Sequence, residues 1–331
     1  MTRRSSPHPS ARAAVALVLL MGALDGCVFL AREATRAFMN VNEMFSAKDI
    51  EIQINKSFLE KYKDRVSIAT TFTVDQAMQN PAARIFDGDL HMAGQAPEIG
   101  LPAVAEIANG AMAKKAADLV HSVEGTGKPL KISGVWRIWA EHATTATEVQ
   151  GTPIPASKSN NPGHVFEIHP ITMINNIDTR DTFRPVEGYL PGGAGSTFEM
   201  YERAECTLTV KPKTVSIVTR KGLYNDVEFI MEIAEARQIV APGGRFVIAS
   251  AMDLKGKMLV KRLRMVFASG TPPEQAVRLL KRGDRLHVYG LPRMDFAEVS
   301  RRVRGSRTDP TLLTKPLPYE IIIQGVYKDA K

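Results

Sequence analysis

Cysteine is scarce in this sequence, with only Cys27 and Cys206 among 331 residues. If Cys27 is lipidated or is lost with an N-terminal signal, Cys206 stands alone and the remaining chain has no internal disulfide. The fold must then depend on its hydrophobic core, which a hydrophobic content of 44% can supply. A lone cysteine in an oxidising compartment is typically buried and inert. No extended low-complexity tract occurs, so a globular protein is predicted.

Signatures of nucleophilic catalysis and of nucleotide binding are also missing. No Gly-x-Ser-x-Gly motif occurs, and Cys206 has no histidine near it in sequence. The segment GTGK (125–128) ends like a phosphate-binding loop, but Ser122 stands where that loop needs glycine and Pro129 follows the lysine. PGGAGS (191–196) lacks a strand–helix–strand context and is interpreted as a loop between domains. The sequence therefore does not favour an enzyme of these classes.

The N-terminus has the order of a secretory signal, because a basic segment precedes an apolar run over residues 13–24. LDGC (24–27) resembles a bacterial lipobox, in which the final cysteine receives the lipid, although Asp25 departs from the usual small or apolar residue. We therefore expect an exported protein of the bacterial periplasm, anchored to the membrane through Cys27. Plain cleavage of the signal and an uncleaved anchor over residues 13–31 are the alternatives.

An internal match organises the rest of the chain. LKISGVWRI (130–138) aligns with LHVYGLPRM (286–294), so that Gly134 lies over Gly290. Each copy is preceded by strands and a helix, and each is followed by another strand. This order, used twice, resembles the OB-fold, a five-stranded barrel with a helix between its third and fourth strands. Each glycine would lie where a strand bends to close the barrel. Chance similarity of two amphipathic strands is the alternative.

The predicted fold class is mainly β with a few helices (α+β), built as two OB-like β-barrel domains in tandem. The chain divides into a signal with lipobox, a linker, a first OB-like domain, an interdomain segment and a second, basic OB-like domain: 1–27, 28–47, 48–175, 176–206 and 207–331. Local patterns predict helices over 57–64 with Ser57 as N-cap, over 101–123 and over 271–284 with Thr271 as N-cap. FAEVSRRV (296–303) is predicted to be a strand.

HVFEIHP (164–170) places two histidines and a glutamate in a segment typical of a strand. Alternation puts Glu167 and His169 on one face, roughly 6.5–7 Å apart, and His164 on the other. Glu167 and His169 could form a general-base pair or share a metal ion with His91. Asp89 and His142 are further candidate ligands. The alternative is a structural strand whose polar face is solvated or paired to itself.

FDGDLHMAGQAPE (86–98) resembles the acidic segment of secreted thermonucleases, in which carboxylates hold Ca²⁺ against a phosphodiester. The resemblance implies Asp87, Asp89 and Glu98 as catalytic acids with calcium as the cofactor, and Gln95 stands where the family has an acid. Together with Glu167 and His169 these residues define an alternative function, a metal-dependent phosphodiesterase. An Asp-Gly hairpin turn without a cofactor is the other interpretation.

Residues 255–307 carry fourteen lysines and arginines against four acids, a net charge of +10. Such asymmetry indicates an anionic partner. The expected function is accordingly a non-catalytic binding module for an anionic or extended polymer, for membrane headgroups or for a protein of the envelope. A purely structural envelope lipoprotein is a further alternative. The expected ligand-binding residues are Arg262, Arg264, Arg285, Arg293, Arg302, Arg304 and Tyr289.

Overall fold

The computed structural model describes residues 49–83, 86–305 and 313–328. The predicted signal and Cys27 lie outside the described residues. The described helices are α1 Lys56–Tyr62, α2 Lys114–Val123, α3 Ala194–Arg203, α4 Pro272–Val277 and α5 Phe296–Gly305. The described strands are β1 Asp49–Asn55, β2 Ser67–Ala77, β3 Leu90–Gln95, β4 Ala103–Ile107, β5 Pro129–Ile138, β6 Thr147–Val149, β7 Phe166–Ile174, β8 Ile177–Asp178, β9 Glu205–Val210, β10 Thr214–Arg220, β11 Val227–Ile233, β12 Ile239–Ala241, β13 Gly244–Met252, β14 Met258–Ala268, β15 Arg285–Met294, β16 Leu313–Pro316 and β17 Tyr319–Val326. Across these ranges, no helix has the length and apolar content needed to span a bilayer.

Five strands close the first barrel. β2 pairs antiparallel with β3 and with β5, β3 pairs with β4, and β5 pairs with β7. The parallel pairing of β4 with β7 completes the ring. In chain order the first strand therefore neighbours the second and fourth, and the third neighbours the fifth. Helix α2 lies in the chain between the third and fourth strands, as in an OB-like barrel.

The second barrel repeats this arrangement with β11, β13, β14, β15 and β17. β11 pairs antiparallel with β13 and β15, and β14 closes the ring by pairing parallel with β17. Helix α4 again lies between the third and fourth strands. Thr271 is its N-cap, as predicted, because the Thr271 side chain accepts a hydrogen bond from the Glu274 amide. The predicted class of mainly β structure with two tandem OB-like barrels is confirmed.

The aligned repeat is the fourth strand of each barrel. Gly134 of β5 and Gly290 of β15 both lie at breaks in the regular pairing register with the fifth strand. A β-carbon on either glycine would lie within 2.9 Å of a backbone atom of that fifth strand. Glycine is therefore required at both positions because the bent strand crosses its neighbour at close range.

The two barrels pack together through the same repeat. Val66 and Val135 of the first barrel form one apolar cluster with Phe246, Val266 and Leu291 of the second. A third sheet, in the order β16-β9-β10-β1-β6, adds β1, from the predicted first domain, to β10, from the predicted second. The predicted division at residues 176–206 therefore does not interrupt the packing.

Each repeat also contributes one buried arginine. Arg137 lies opposite Glu167 on β7, and Arg293 lies opposite Glu320 on β17, so the two ion pairs are equivalent. Arg137 Nε donates to Pro292 O at 2.8 Å, and an Arg293 guanidinium nitrogen donates to Trp136 O at 2.9 Å. Each barrel thus satisfies a backbone carbonyl of the other, which fixes how the two fourth strands meet.

Four local predictions require correction, and three of them concern the first barrel and the segment between the barrels. The predicted helix over 101–123 is a strand, β4, followed by a shorter helix, α2. All five residues of β4 are buried, and a short apolar run buried on both faces cannot be told from a helix by periodicity. Ser57 lies inside α1 and not at its N-cap. PGGAGS is not only a loop, because α3 begins at Ala194.

The predicted strand FAEVSRRV is the helix α5. Phe296, Val299 and Ser300 are buried at a spacing of three and four residues, which is a helical face. Asp295 stabilises the first turn by accepting a hydrogen bond from the Glu298 amide at 3.0 Å. Cys206 is buried on β9, as expected for a lone unreactive cysteine, and burial raises the pKa of its thiol to about 11.

Candidate functional site

The first barrel carries a buried polar cluster on the outer face of β4 and β7, its third and fifth strands. Along β7, Phe166 and Ile168 enter the apolar core, so alternation turns Glu167 and His169 to the opposite face. We use the name polar cluster for six side chains that meet there, each no more than 4% exposed: Asp89, Glu106, Arg137, His164, Glu167 and His169.

His169 lies at the centre of the polar cluster. Its Nε2 lies 2.9 Å from Asp89 Oδ2, while its Nδ1 lies 3.2 Å from Glu106 Oε2 and 3.3 Å from Glu167 Oε2. Burial alone would lower the pKa of His169, but the three surrounding carboxylates raise it well above its usual value. The three carboxylates around the ring therefore favour positive charge at this point.

His164 faces the same cluster, contrary to the face predicted from strand alternation. β7 begins at Phe166, so the alternation rule does not extend back to residue 164. His164 Nδ1 lies 2.7 Å from Pro162 O, and His164 Nε2 lies 3.3 Å from Glu167 Oε1. Both histidines of HVFEIHP thus approach the glutamate between them.

Glu167 is held by charge. Burial would raise the pKa of this carboxyl, but Arg137, followed by His164 and His169, keeps it well below its usual value. An Arg137 guanidinium nitrogen donates directly to Glu167 Oε2. Because a buried carboxylate is stable only when paired, Arg137 is an integral part of the cluster and not a surface cation.

Two further histidines, His91 and His142, border the polar cluster. His142 stacks on His164 with ring centroids 5.1 Å apart, and its side chain is 32% exposed. His91 borders the other side, where its Nε2 lies 3.3 Å from Glu106 Oε2. The His91 Nε2 atom is buried and has no hydrogen-bond partner among the described residues.

The alternative catalytic residues converge only in part. Asp89, Glu167 and His169 meet in the polar cluster, and Asp87 lies beside it, where its carboxylate accepts from the Asp89 amide at 3.0 Å. Burial and the neighbouring Asp89 raise the pKa of Asp87 to about 6. Glu98 lies elsewhere, bound to Lys61 and to the Tyr62 hydroxyl at 2.8 Å.

Three members of the polar cluster are absent from the sequence-based site. Glu106 lies in the segment interpreted as a helix, and His164 was assigned to the wrong face. Arg137 is a conspicuous part of the internal repeat, and the buried equivalence of Arg137 and Arg293 could have been suspected from that alignment. β3, β4 and β7 meet at this point only in the folded barrel. No local sequence pattern therefore predicts that their side chains converge.

The predicted ligand-binding arginines do not form one exposed face. Arg293 is fully buried against Glu320, and Arg264 is largely buried, 3.1 Å from the same carboxylate. Tyr289 is also buried and packs against Tyr189, with ring centroids 6.0 Å apart. The expected surface location of these three residues is therefore corrected: packing between the barrels encloses them.

The other predicted arginines lie nearer to solvent. Arg262 is exposed and pairs with Glu235, and Arg285 is exposed and pairs with Glu232 at 2.7 Å. Arg302 is largely covered, because it binds Glu298 at 2.7 Å and Pro316 O at 2.7 Å. Arg304 is exposed on α5. Much of the basic charge is therefore neutralised locally.

One end of the second barrel combines exposed cations with exposed apolar side chains. The segment after β11 and the loop after α4 are neighbours there, because Gln238 Nε2 donates to Val277 O at 2.7 Å and Gly283 N donates to Ile233 O at 2.9 Å. Val240 is 77% exposed and Leu279 is 86% exposed. We define the apolar–cationic patch as Arg237, Ile239, Val240, Leu279, Lys281 and Arg282.

Comparison with known proteins identifies no family. No family model matches the chain, and no curated protein matches it. Among solved structures, the chain is similar to the wild-type single-stranded DNA binding protein from Thermus aquaticus, with 10% identity and a TM-score of 0.21, over 80% of this chain and 92% of that one. A deletion mutant of the same protein gives 9% identity and the same TM-score, over 80% and 94% of the two chains. The barrel assignment above rests on strand pairing alone.

Proposed function

We propose that this chain is an exported, non-catalytic protein of the bacterial envelope that binds an anionic membrane surface through its second barrel. The observation that carries the proposal is the apolar–cationic patch. Lys281, Arg282 and Arg237 make no ion pair with any other residue in the described ranges, unlike Arg262 and Arg285. Unpaired cations beside protruding aliphatic side chains match the interface between headgroups and acyl chains.

The expected binding free energy of the patch is sufficient for a second contact between the protein and the membrane. Three cations near an anionic leaflet contribute roughly 3 kcal/mol, and burying an aliphatic side chain contributes about 1.5–3 kcal/mol. Binding of that size is weak for a free protein, but it would orient a chain already anchored at Cys27. The lipid anchor and the periplasmic location are themselves part of this proposal.

An extended polymer is a less suitable ligand for this surface. Binding of single strands relies on aromatic side chains that stack on successive bases. Phe267 and Tyr289 of the second barrel are buried, and the patch contains no aromatic residue. The predicted polymer-binding role therefore lacks a stacking platform at this end of the barrel.

A metal-dependent phosphodiesterase is the second candidate function, and one observation favours it: Asp89, Glu167 and His169 meet within hydrogen-bonding range. Two observations oppose it. Glu98 lies away from the cluster, and the converging carboxylates are at most 4% exposed, which leaves no room for a phosphodiester at them. The envelope-binding function is therefore preferred.

The test is depth-dependent fluorescence quenching of the full chain on vesicles that contain brominated lipid. We expect Val240→Trp to be quenched on anionic vesicles and not on zwitterionic ones. Met112→Trp is the matched control, because Met112 is also exposed (52%) but lies on the first barrel. Adding Lys281→Glu and Arg282→Glu should remove the quenching at position 240.

Equal quenching at positions 112 and 240, or quenching that ignores lipid charge, would contradict membrane binding by the patch. If a labelled single-stranded oligonucleotide binds instead, with strong salt dependence, the polymer hypothesis gains support. Absence of both would favour a purely structural lipoprotein.

A further inference from the structure

The hydrogen bonds of the polar cluster determine which ring nitrogens carry hydrogen. A carbonyl oxygen can only accept, so His164 Nδ1, 2.7 Å from Pro162 O, must be the donor. His169 Nε2, 2.9 Å from Asp89 Oδ2, is the donor to that carboxylate. Metal-binding histidines are usually held in this way, with one nitrogen hydrogen-bonded to a carbonyl or carboxylate and the other directed at the metal.

The remaining nitrogens face carboxylates at distances that are long for ionic hydrogen bonds. His164 Nε2 and His169 Nδ1 lie 3.3 Å from oxygens of Glu167, and His169 Nδ1 lies 3.2 Å from Glu106 Oε2. Charge-assisted N–H···O bonds are usually about 2.7–2.9 Å long. Ligand atoms about 2.1 Å from a tetrahedral ion are separated by about 3.4 Å, which is close to the observed spacing.

The carboxylates of Glu106 and Glu167 lie close to the inner nitrogen of His164. One ligand atom each from Glu106, His164 and Glu167 can be chosen so that all three lie within 4.8 Å of one another. His169 Nδ1 approaches two members of this set. Three donors from β4, from β7 and from the residue before β7 therefore surround one small volume, and His169 lies beside it.

The charge of the cluster requires compensation. With both imidazoles neutral, the three carboxylates and the Arg137 guanidinium sum to a net charge of −2, at positions that are at most 4% exposed. Uncompensated charge at this depth is strongly unfavourable. Protons on both imidazoles would restore neutrality, and so would a single divalent cation bound beside neutral imidazoles.

We propose that Glu106, His164 and Glu167 bind one divalent transition-metal ion, with zinc the best match, and that His169 lies against this ligand set. An imidazole ligand suits zinc, whereas calcium prefers an all-oxygen shell, so the calcium implied by the thermonuclease resemblance is not the ion expected here. Asp89, Arg137 and the Pro162 carbonyl are positioning groups for the ligands and for His169. The ion would be structural, since its ligands are enclosed, and it would join the segment before β7 to β4.

The experiment measures Zn²⁺ uptake by the full chain, purified in detergent and stripped with chelator. We expect one Zn²⁺ per chain by equilibrium dialysis and elemental analysis, and a higher unfolding temperature with Zn²⁺ than with chelator. Co²⁺ in place of Zn²⁺ should give the visible absorption of a site with nitrogen and oxygen ligands. Ca²⁺ at the same concentration should not displace Zn²⁺.

Variants assign the ion to the cluster. His164→Gln should weaken Zn²⁺ binding by at least about 10- to 100-fold, the loss typical of disturbing even the residues that support metal ligands. His121→Gln is the matched control, because His121 also faces one carboxylate, Glu124 Oε2 at 3.6 Å, but lies outside the cluster on α2. Its Zn²⁺ affinity should be unchanged.

Three results would overturn the proposal: no stoichiometric Zn²⁺ on the native chain, equal Zn²⁺ affinity of native chain and folded His164→Gln, or displacement of Zn²⁺ by equimolar Ca²⁺. If His164→Gln does not fold, the two results on the native chain decide. If the proposal is overturned, protons on the inner nitrogens of His164 and His169 balance the charge instead.

Discussion

Replacing Gly134 with alanine tests whether the internal repeat marks a barrel closure. A β-carbon at this position would lie 2.6 Å from the Ile168 side chain, 2.8 Å from Pro170 O and 2.9 Å from Ile171 Cα. Two of these contacts are backbone atoms of β7, which cannot rotate aside. Alanine would therefore force β5 and β7 apart at the point where the first barrel closes.

The expected loss follows from two opposing terms. Overpacking in a well-packed interior costs about 1–3 kcal/mol and occasionally more. Removing glycine from the unfolded chain returns about 0.4–1 kcal/mol. Because backbone atoms receive the contact, we place Gly134→Ala at the upper end, with a net loss of about 2 kcal/mol. Gly290→Ala should behave alike, since its β-carbon would lie 2.8 Å from Ile322 O.

The assay is urea unfolding followed by tryptophan fluorescence. Both tryptophans of the chain, Trp136 and Trp139, are buried and lie on or directly after β5, so they report on this barrel. Gly195→Ala is the matched control, because no atom lies within 4 Å of its would-be β-carbon and it lies in α3. That variant should gain about 0.5–1 kcal/mol. A Gly134→Ala variant as stable as the native chain would refute the closure argument.

Three further predictions concern buried ionisable groups. Arg293→Met should lower the free energy of unfolding by roughly 3 kcal/mol, because it removes a partner from buried Glu320, and a second change, Glu320→Leu, should recover part of the loss in the same urea assay. Burial raises the pKa of Glu148 to about 7 from an unfolded value of 4.5, so stability is lost as pH rises between these values. Glu148→Gln should therefore stabilise by up to about 3 kcal/mol at pH 8 and not at pH 4, and equal effects at both pH values would contradict this. Cys206 should react with iodoacetamide only in denaturant, as mass spectrometry can show, because its pKa is raised to about 11 by burial.

The second barrel is the part of the fold that local patterns predict best. Its fourth strand, β15, covers the aligned segment LHVYGLPRM, and its helix begins at the predicted N-cap, Thr271. FAEVSRRV was wrong because Val299 and Ser300 are buried with Phe296 on one helical face, a spacing that the strand interpretation ignored. In this segment the helical spacing of the buried residues could be seen in the sequence.

The first barrel shows a different kind of error. AVAEI (103–107) is wholly buried, since it packs inward on the core and outward on the polar cluster. A strand buried on both faces loses the alternation by which strands are recognised. The same error removed Glu106 from the predicted site, so the mistake about secondary structure became a mistake about chemistry.

The prediction of the candidate site also depends on where each strand begins and on which side chains the barrel interface buries. Glu167 and His169 were assigned to one face correctly because both lie inside β7. His164 lies two residues before β7, where the backbone is not extended in register, and it turns to the same side. Arg293 was predicted to bind a ligand from charge alone, yet the barrel interface encloses it against Glu320.

The sequence by itself determined the repeated order of strands and helix, the glycines of the fourth strands and the uneven charge. Each of these features follows directly from residue spacing or from amino-acid composition. Only the tertiary structure decided which charges are buried and which remain exposed, since an arginine on a strand looks the same whether its face meets solvent or another barrel. HVFEIHP is the clearest case. Its residues are polar in sequence, but their chemistry follows from Glu106 and Asp89, which barrel closure brings from distant strands.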